Sequence, residues 1–195
     1  TPLYSSAASD VYKRQHTMSL ERVMQMKPWL LAVIFNSPRP ITPFNQDNLL
    51  KTQATDSLLI TKGLESVSEH FSVLDTFSTQ QQIGMLKKVL GRKESVKEKD
   101  YESLVGAYLI NNPAKILQVD EKITKKIVSD SMWKDMQKKL LINRNTLFFK
   151  RILDIEEDNK LFIAVGASHL AGKNGLLNLF KNAGYSLKPL TPFLD

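Results

Sequence analysis

Apolar residues recur along this chain at two different spacings. Over most of its length they stand three or four apart, the period of a helix with one covered side. At Leu58-Leu59-Ile60 and Leu161 to Val165 they are instead consecutive and partly β-branched, which suits a short strand covered on both faces, as in a parallel sheet. Tyr185 to Leu190 reads as another strand, closed by Pro189 and Pro192. The helical readings begin at Ser19, an N-cap for Leu20 to Met26; Pro28 interrupts, and Trp29 to Phe35 completes an apolar helix before the loop Asn36 to Pro43. Asn45 to Ala54 is a short helix. Phe71 to Leu90 continues in two pieces broken near Ser78-Thr79, with Leu74, Phe77, Ile83, Leu86 and Leu90 on the buried side. Gly91 to Lys97 is a polar connection. Lys99 to Ile110 places Tyr101, Leu104, Val105, Tyr108 and Leu109 at core spacing. Asp120 to Leu140 is amphipathic, with Ile123, Ile127, Met132, Met136 and Leu140 apolar and Trp133 either buried or lining a groove. The next helix carries Phe148, Phe149, Ile152 and Leu153, and Gly175 to Asn182 forms a last one, stopped by Gly184. The fold class predicted is α/β and helix-rich, a small, mostly parallel sheet flanked by helices.

Two candidate groups stand where predicted strands end. His169 follows Leu161 to Val165 through the small residues Gly166, Ala167 and Ser168, a position where open α/β sheets place ligands. Glu65 follows Leu58 to Ile60 just before Ser66-Val67-Ser68-Glu69, the spacing of a capping box. Thr79 to Gln82 offers a second box. Each candidate has a plainer account: a histidine hydrogen-bonded in a partly buried turn, and a carboxylate favouring a helix amino terminus. His70 reads as a surface or supporting histidine. Arg144, in Asn143-Arg144-Asn145, either presents a planar fork to an oxyanion or is a surface arginine beside a capping asparagine.

Composition narrows the field. A chain of 195 residues with 42% apolar content can bury one sizeable core, and the absence of cysteine excludes disulfides and thiolate metal sites. The net charge of +7 comes mainly from lysines in Lys87 to Lys99 and Lys122 to Lys139, interspersed with acidic residues and without interleaved aromatics. That pattern describes solvated helix faces rather than a nucleic-acid surface. The longest apolar run, Trp29 to Phe35, falls short of the ~20 residues that span a bilayer. Residues 1–17 show no periodicity and no signal-peptide pattern and are set apart as a tail or artefact, His16 with them; the domain is expected over 18–195.

Taken together, Lys27-Pro28-Trp29, Gly63-Leu64-Glu65, Asn143-Arg144-Asn145 and Gly166-Ala167-Ser168-His169 with the Leu-Ala-Gly-Lys-Asn-Gly-Leu-Leu that follows resemble, in order, the TraB/GumN family, which includes the TIKI metalloproteases. The resemblance spans roughly Met18 to Leu190. It implies a metal-dependent, peptidase-like hydrolase in which Glu65 and His169 are metal ligands and Glu65, Arg144 and His169 are catalytic. The ion would be divalent (Mn, Co or Zn) and the substrate a peptide or small molecule. Asn143 departs from the acidic residue frequent at its place in the family. The family's first Gly-x-x-His is not found upstream of Lys27, so the expectation is a truncated domain that binds metal weakly or not at all and is inactive alone, cut from a parent that is secreted, periplasmic or membrane-anchored. An exposed sheet edge would favour self-association. Two alternatives stand beside this one: a non-catalytic relic, and a haem- or small-molecule-binding protein of the wider erythromycin esterase and ChaN-like superfamily.

Overall fold

The computed structural model describes residues 19–38, 45–156 and 160–190; residues 1–17, with His16, and Pro192 lie outside the described residues. The chain runs through α1 (Leu20–Met24), α2 (Pro28–Asn36), α3 (Gln46–Asp56), α4 (Val67–Asp75), α5 (Thr79–Leu90), α6 (Glu94–Leu109), α7 (Pro113–Thr124) and α8 (Asp130–Met136). A π-helical turn, Gln137–Ile142, leads without a break into α9 (Asn143–Glu156). A 3₁₀ turn, Ala167–His169, and α10 (Leu176–Asn182) complete the order.

No strand occurs among the described residues, and the predicted parallel sheet flanked by helices is not formed. The reasons differ from run to run. Leu58 sits in the left-handed region at φ 57°, its N–H donating to Thr55 and that of Leu59 to Ala54, so these apolar residues close α3 as a Schellman cap. A leucine pays about 1 kcal/mol for that conformation, which is why the sequence gives no warning of it. Leu161 to Val165 forms no strand and no helix, and Phe162 is 82% exposed. Only its last residue, Val165, reaches a core. Residues 185–190 likewise take no regular secondary structure, and the Tyr185 N–H donates to the Phe180 carbonyl at 3.1 Å at the end of the last helix. An expected route to self-association, the sheet edge, therefore has no sheet to belong to.

Local signals acted largely where the sequence put them. Ser19 caps α1, and Ser66 and Glu69 form the expected reciprocal box at the start of α4. The second box lies one residue earlier than expected, Ser78 with Gln81. Gly184 follows α10 at φ 93°, with the Tyr185 ring edge-on to Phe180 at 5.2 Å. The polar connection after Gly91 is shorter than predicted, because α6 begins at Glu94.

The main core is helical and apolar. Helix α2 packs on α5, burying Trp29, Leu31, Ala32 and Phe35 against Phe77, Met85, Leu86 and Val89, with Val128 just before α8 and Met132 and Trp133 within it closing the core. Each large side chain so buried stabilises by about 1.5–3 kcal/mol. Of the face predicted for Lys99 to Ile110, Tyr101, Val105, Tyr108 and Leu109 are exposed, and α6 buries Ala107 and Lys97 instead. Arg92, which bonds Asn36 and pairs with Asp100, and Lys126, 2.5 Å from Asp100, tie α6 and α7 to this core through charge. A second, smaller cluster consists of Phe148, Ile152 and Leu176, with Leu64, Val165 and Phe180 packed against it.

Candidate functional site

The polar residues that chemistry would need collect on the smaller cluster. Arg144 stands in the first turn of α9, where the π-helical turn gives way to α-helix, a backbone irregularity that recurs at functional sites. Its Nη1 donates to the Leu140 carbonyl at 3.0 Å, and its Nε and Nη2 donate to the two Glu65 oxygens at 3.0 and 2.6 Å. This is the bidentate fork that a planar guanidinium makes with a carboxylate. Nη1 also lies 3.3 Å from His169 Nε2. One guanidinium therefore reaches both the carboxylate near residue 65 and the imidazole a hundred residues later.

The proton positions on His169 follow from its neighbours. Asn145 is buried in the next position of α9, and its Nδ2 donates to the Asn174 carbonyl at 2.7 Å. A carbonyl can only accept, so the amide is fixed and Asn145 Oδ1 is the atom that meets His169 Nδ1, at 2.6 Å. Oδ1 also only accepts. Hence Nδ1 carries the proton and Nε2 holds a lone pair, which is what the donating Arg144 requires. The loop that offers Asn174 depends on Gly175, where an added Cβ would stand 2.2 Å from the Ala171 carbonyl oxygen. Burial, with the Arg144 charge second, depresses the His169 pKa to about 4, so the ring is neutral at pH 7. Phe148 walls it at 5.3 Å.

Glu65 lies in the bend before α4. Burial alone would raise its pKa, but the hydrogen bonds and charges of Arg144 and His70 outweigh that and hold the carboxyl below its ordinary value. His70, read from the sequence as a surface or supporting histidine, places Nδ1 2.7 Å from Glu65 Oε1 and belongs to the cluster, with its ring half exposed. Asn145, read as a capping residue, is the group that orients the imidazole. The only sequence signal for either was nearness to Glu65 or Arg144. Ser168 turns away from the cluster to donate to Asp120 of α7 at 3.3 Å; burial raises the Asp120 pKa, with Ser168 and Thr124 offsetting it in part. Lys27-Pro28-Trp29 is spent on packing: Pro28 opens α2, while Lys27 Nζ and Trp29 Nε1 both hold Asp75 at the end of α4, at 2.6 and 3.4 Å.

Compared with known families, residues 4–189 match the sequence model of the TraB/PrgY/gumN family. The chain belongs to that family. No curated protein and no solved structure is matched by it. Membership in the TraB/PrgY/gumN family agrees with the resemblance carried by the four sequence markers, of which two, Gly63-Leu64-Glu65 and Asn143-Arg144-Asn145, meet through the Glu65–Arg144 fork and a third through His169.

A divalent ion on Glu65 and His169 does not fit these side chains as they stand. The Arg144 guanidinium lies between the two and donates to both, so a fixed positive charge occupies the place a cation would need. Among the described residues no group of three His, Cys, Asp or Glu side chains converges as an ion requires. Nor, among the described residues, is any helix long and apolar enough to cross a membrane.

Proposed function

We propose that the Glu65–Arg144–His169 cluster is the reactive part of a hydrolytic centre acting on carbonyl-bearing, peptide-like substrates. The observation that supports it is the relay from the Asn174 carbonyl through Asn145 to His169, which delivers a neutral imidazole with its Nε2 lone pair toward a guanidinium. Such an arrangement costs buried polar groups and is maintained by four separate segments of chain. A substrate carbonyl oxygen taking the Arg144 Nη1 donor would release Nε2 to accept a proton from water. The water oxygen then adds to the carbonyl carbon, the charge gathering on the carbonyl oxygen beside Arg144. Collapse breaks the carbon–nitrogen bond, and the leaving amine takes the proton back from His169. Glu65 keeps the guanidinium plane fixed throughout.

Hydrolysis of a peptide library, followed by mass spectrometry between pH 3 and 9 with and without added Mn, Co or Zn, tests this. Cleavage is expected with an acid limb near the His169 pKa of about 4 and a plateau above it, lost in Glu65→Gln and His169→Ala. Cleavage that survives both substitutions, or none under any condition, overturns the reading.

One observation favours a second reading. The Arg144 N–H groups are already engaged by Glu65, the Leu140 carbonyl and His169, so the cluster also serves as a polar tie that holds α9 to the bend before α4 and to the 3₁₀ turn. If that is its whole role, the same substitutions lower the melting temperature and no condition yields hydrolysis.

A further inference from the structure

Glu65 has no ladder of backbone hydrogen bonds to hold it, because the segment that carries it is not a strand. Something else must fix the direction in which its carboxylate points. Seven residues beyond Arg144, two turns along the same face of α9, stands Arg151. Its Nη1 donates to the Leu64 carbonyl at 2.7 Å, and Nη1 and Nη2 donate to the Glu69 carboxylate at 3.1 and 2.6 Å. Glu69 in turn accepts from the Ser66 N–H at 2.7 Å. The peptide groups on both sides of Glu65, the carbonyl before it and the amide after it, are thus held by one closed ring of hydrogen bonds. The Leu64 side chain is anchored as well, against the Phe148 and Ile152 cluster.

We propose that Arg151, acting through Glu69, is a positioning residue: it fixes the backbone of Glu65 so that the carboxylate meets Arg144 in the geometry that Arg144 needs to face His169. The proposal rests on the hydrolytic reading for its kinetic consequence, but not for its structural one. Arg144 grips the Glu65 side chain and Arg151 grips its main chain. Both arginines project from one rigid helix, so their separation is set by the helix and the bend before α4 is held against it at two points. Loss of Arg151 leaves the Glu65–Arg144 pair chemically intact and free to turn. Errors of about 1 Å in such groups cost on the order of 100-fold in rate.

The test uses the full chain with Arg151→Ala, Arg151→Lys and Glu69→Gln, and Val89→Ala in the larger core as a control that lowers stability without touching the ring. The first readout is exchange of the Arg144 Nε–H, bonded to Glu65 at 3.0 Å, followed by ¹H–¹⁵N NMR. Exchange is expected to quicken about tenfold or more in Arg151→Ala, less in Arg151→Lys and Glu69→Gln, and not in Val89→Ala. The second is kinetic: kcat falls about tenfold or more in Arg151→Ala while KM stays within about threefold, and Arg151→Lys recovers part of the loss. Unchanged Nε–H exchange in Arg151→Ala overturns the proposal, as does a change matched by Val89→Ala. Should Arg151→Ala not fold, Arg151→Lys and Glu69→Gln decide by the same criteria. If the unsubstituted chain hydrolyses nothing, the hydrolytic reading fails by itself, and Nε–H exchange still decides whether Arg151 positions Glu65.

Discussion

Around Trp29, Phe35, Leu86 and Val89 the chain buries a broad set of apolar side chains against one another, whereas around Phe148, Ile152 and Leu176 it buries little and covers that little with charge. The first region is set mainly by shape and apolar area, with few specific bonds, such as those of Trp29 Nε1 to Asp75 and Gln82 Nε2 to the Phe77 carbonyl. The second has an apolar floor too small to hold three incoming segments, so their places are set by hydrogen bonds from Arg144, Asn145 and Arg151 of one helix. A polar region of this kind is less forgiving of substitution per atom removed, since a lost partner leaves another group buried and unsatisfied. It also holds the buried imidazole, that of His169.

The largest effect should come from the apolar side. Phe35→Ala, at a residue 2% exposed, removes a ring from the centre of the main core and is expected to cost about 3–5 kcal/mol, read by chemical denaturation. Because Trp29 and Trp133, the only tryptophans, both lie in that core, their fluorescence follows this region alone. The site can be followed separately by the NMR signals of its histidines. A Phe35→Ala chain with native fluorescence and unchanged stability would dissolve the distinction between the regions.

Next in size is Arg144→Met, which keeps much of the bulk and removes the charge. Glu65, only 13% exposed in its side chain, loses its bidentate partner, and a cost of about 2–3 kcal/mol is expected, below that of a fully buried pair because both groups touch solvent. Native tryptophan emission with disturbed histidine signals would be the mark of damage confined to the smaller region. Asn145→Ala should cost about 1–3 kcal/mol, since it strands both the His169 Nδ1–H and the Asn174 carbonyl. Its sharper consequence is tautomeric: with the amide gone, ¹⁵N shifts of His169 should show the Nε2–H form appearing. A ring still wholly Nδ1–H would mean that Asn145 does not set the tautomer.

Acid should then separate the regions without any mutation. His169 titrates near 4 in the folded chain against an ordinary 6.5, so the unfolded state binds the extra proton first as pH falls. Its contribution is complete above about 6.5, is lost progressively as pH drops toward 4, and amounts to about 1 kcal/mol between pH 7 and 5.5. Glu65, held below 4.5 by its partners, adds to the same trend at lower pH. His169→Gln should flatten the slope in this window. A slope unchanged by that substitution would place the sensitivity elsewhere.

How far all this could be read in advance depended on the range of the forces involved. The Ser66–Glu69 box was legible because capping is settled within four residues, and the second box was misplaced by one because Ser78 and Thr79 are both able caps. Leu58 to Ile60 was misread because a left-handed leucine leaves no compositional trace. The Tyr101 to Leu109 face was assigned to the core because periodicity shows that a helix has an apolar side without showing what covers it. Glu65 and His169 were singled out by their place after apolar runs taken for strands that the structure does not form, and family resemblance weighted them, with Arg144, toward function. His70 and Asn145 were passed over because their importance comes from what the fold brings beside them, over separations that no local pattern encodes.

The smallest effect sharpens the comparison from the apolar side. Trp133 is buried in the larger core, and among the described residues its Nε1–H is the buried side-chain polar atom without a hydrogen-bond partner. Trp133→Phe removes that orphan donor, a gain of about 1–3 kcal/mol, and gives up ring area and contacts, a loss of similar size. The two should nearly cancel, leaving stability within about 1 kcal/mol of the starting chain. A loss well above that would mean the indole N–H is satisfied in the folded protein and that this core also leans on a specific polar bond. A near-null result, set beside the cost of Asn145→Ala, would show that deleting an unsatisfied polar group from one region is tolerated while deleting a satisfied one from the other is not.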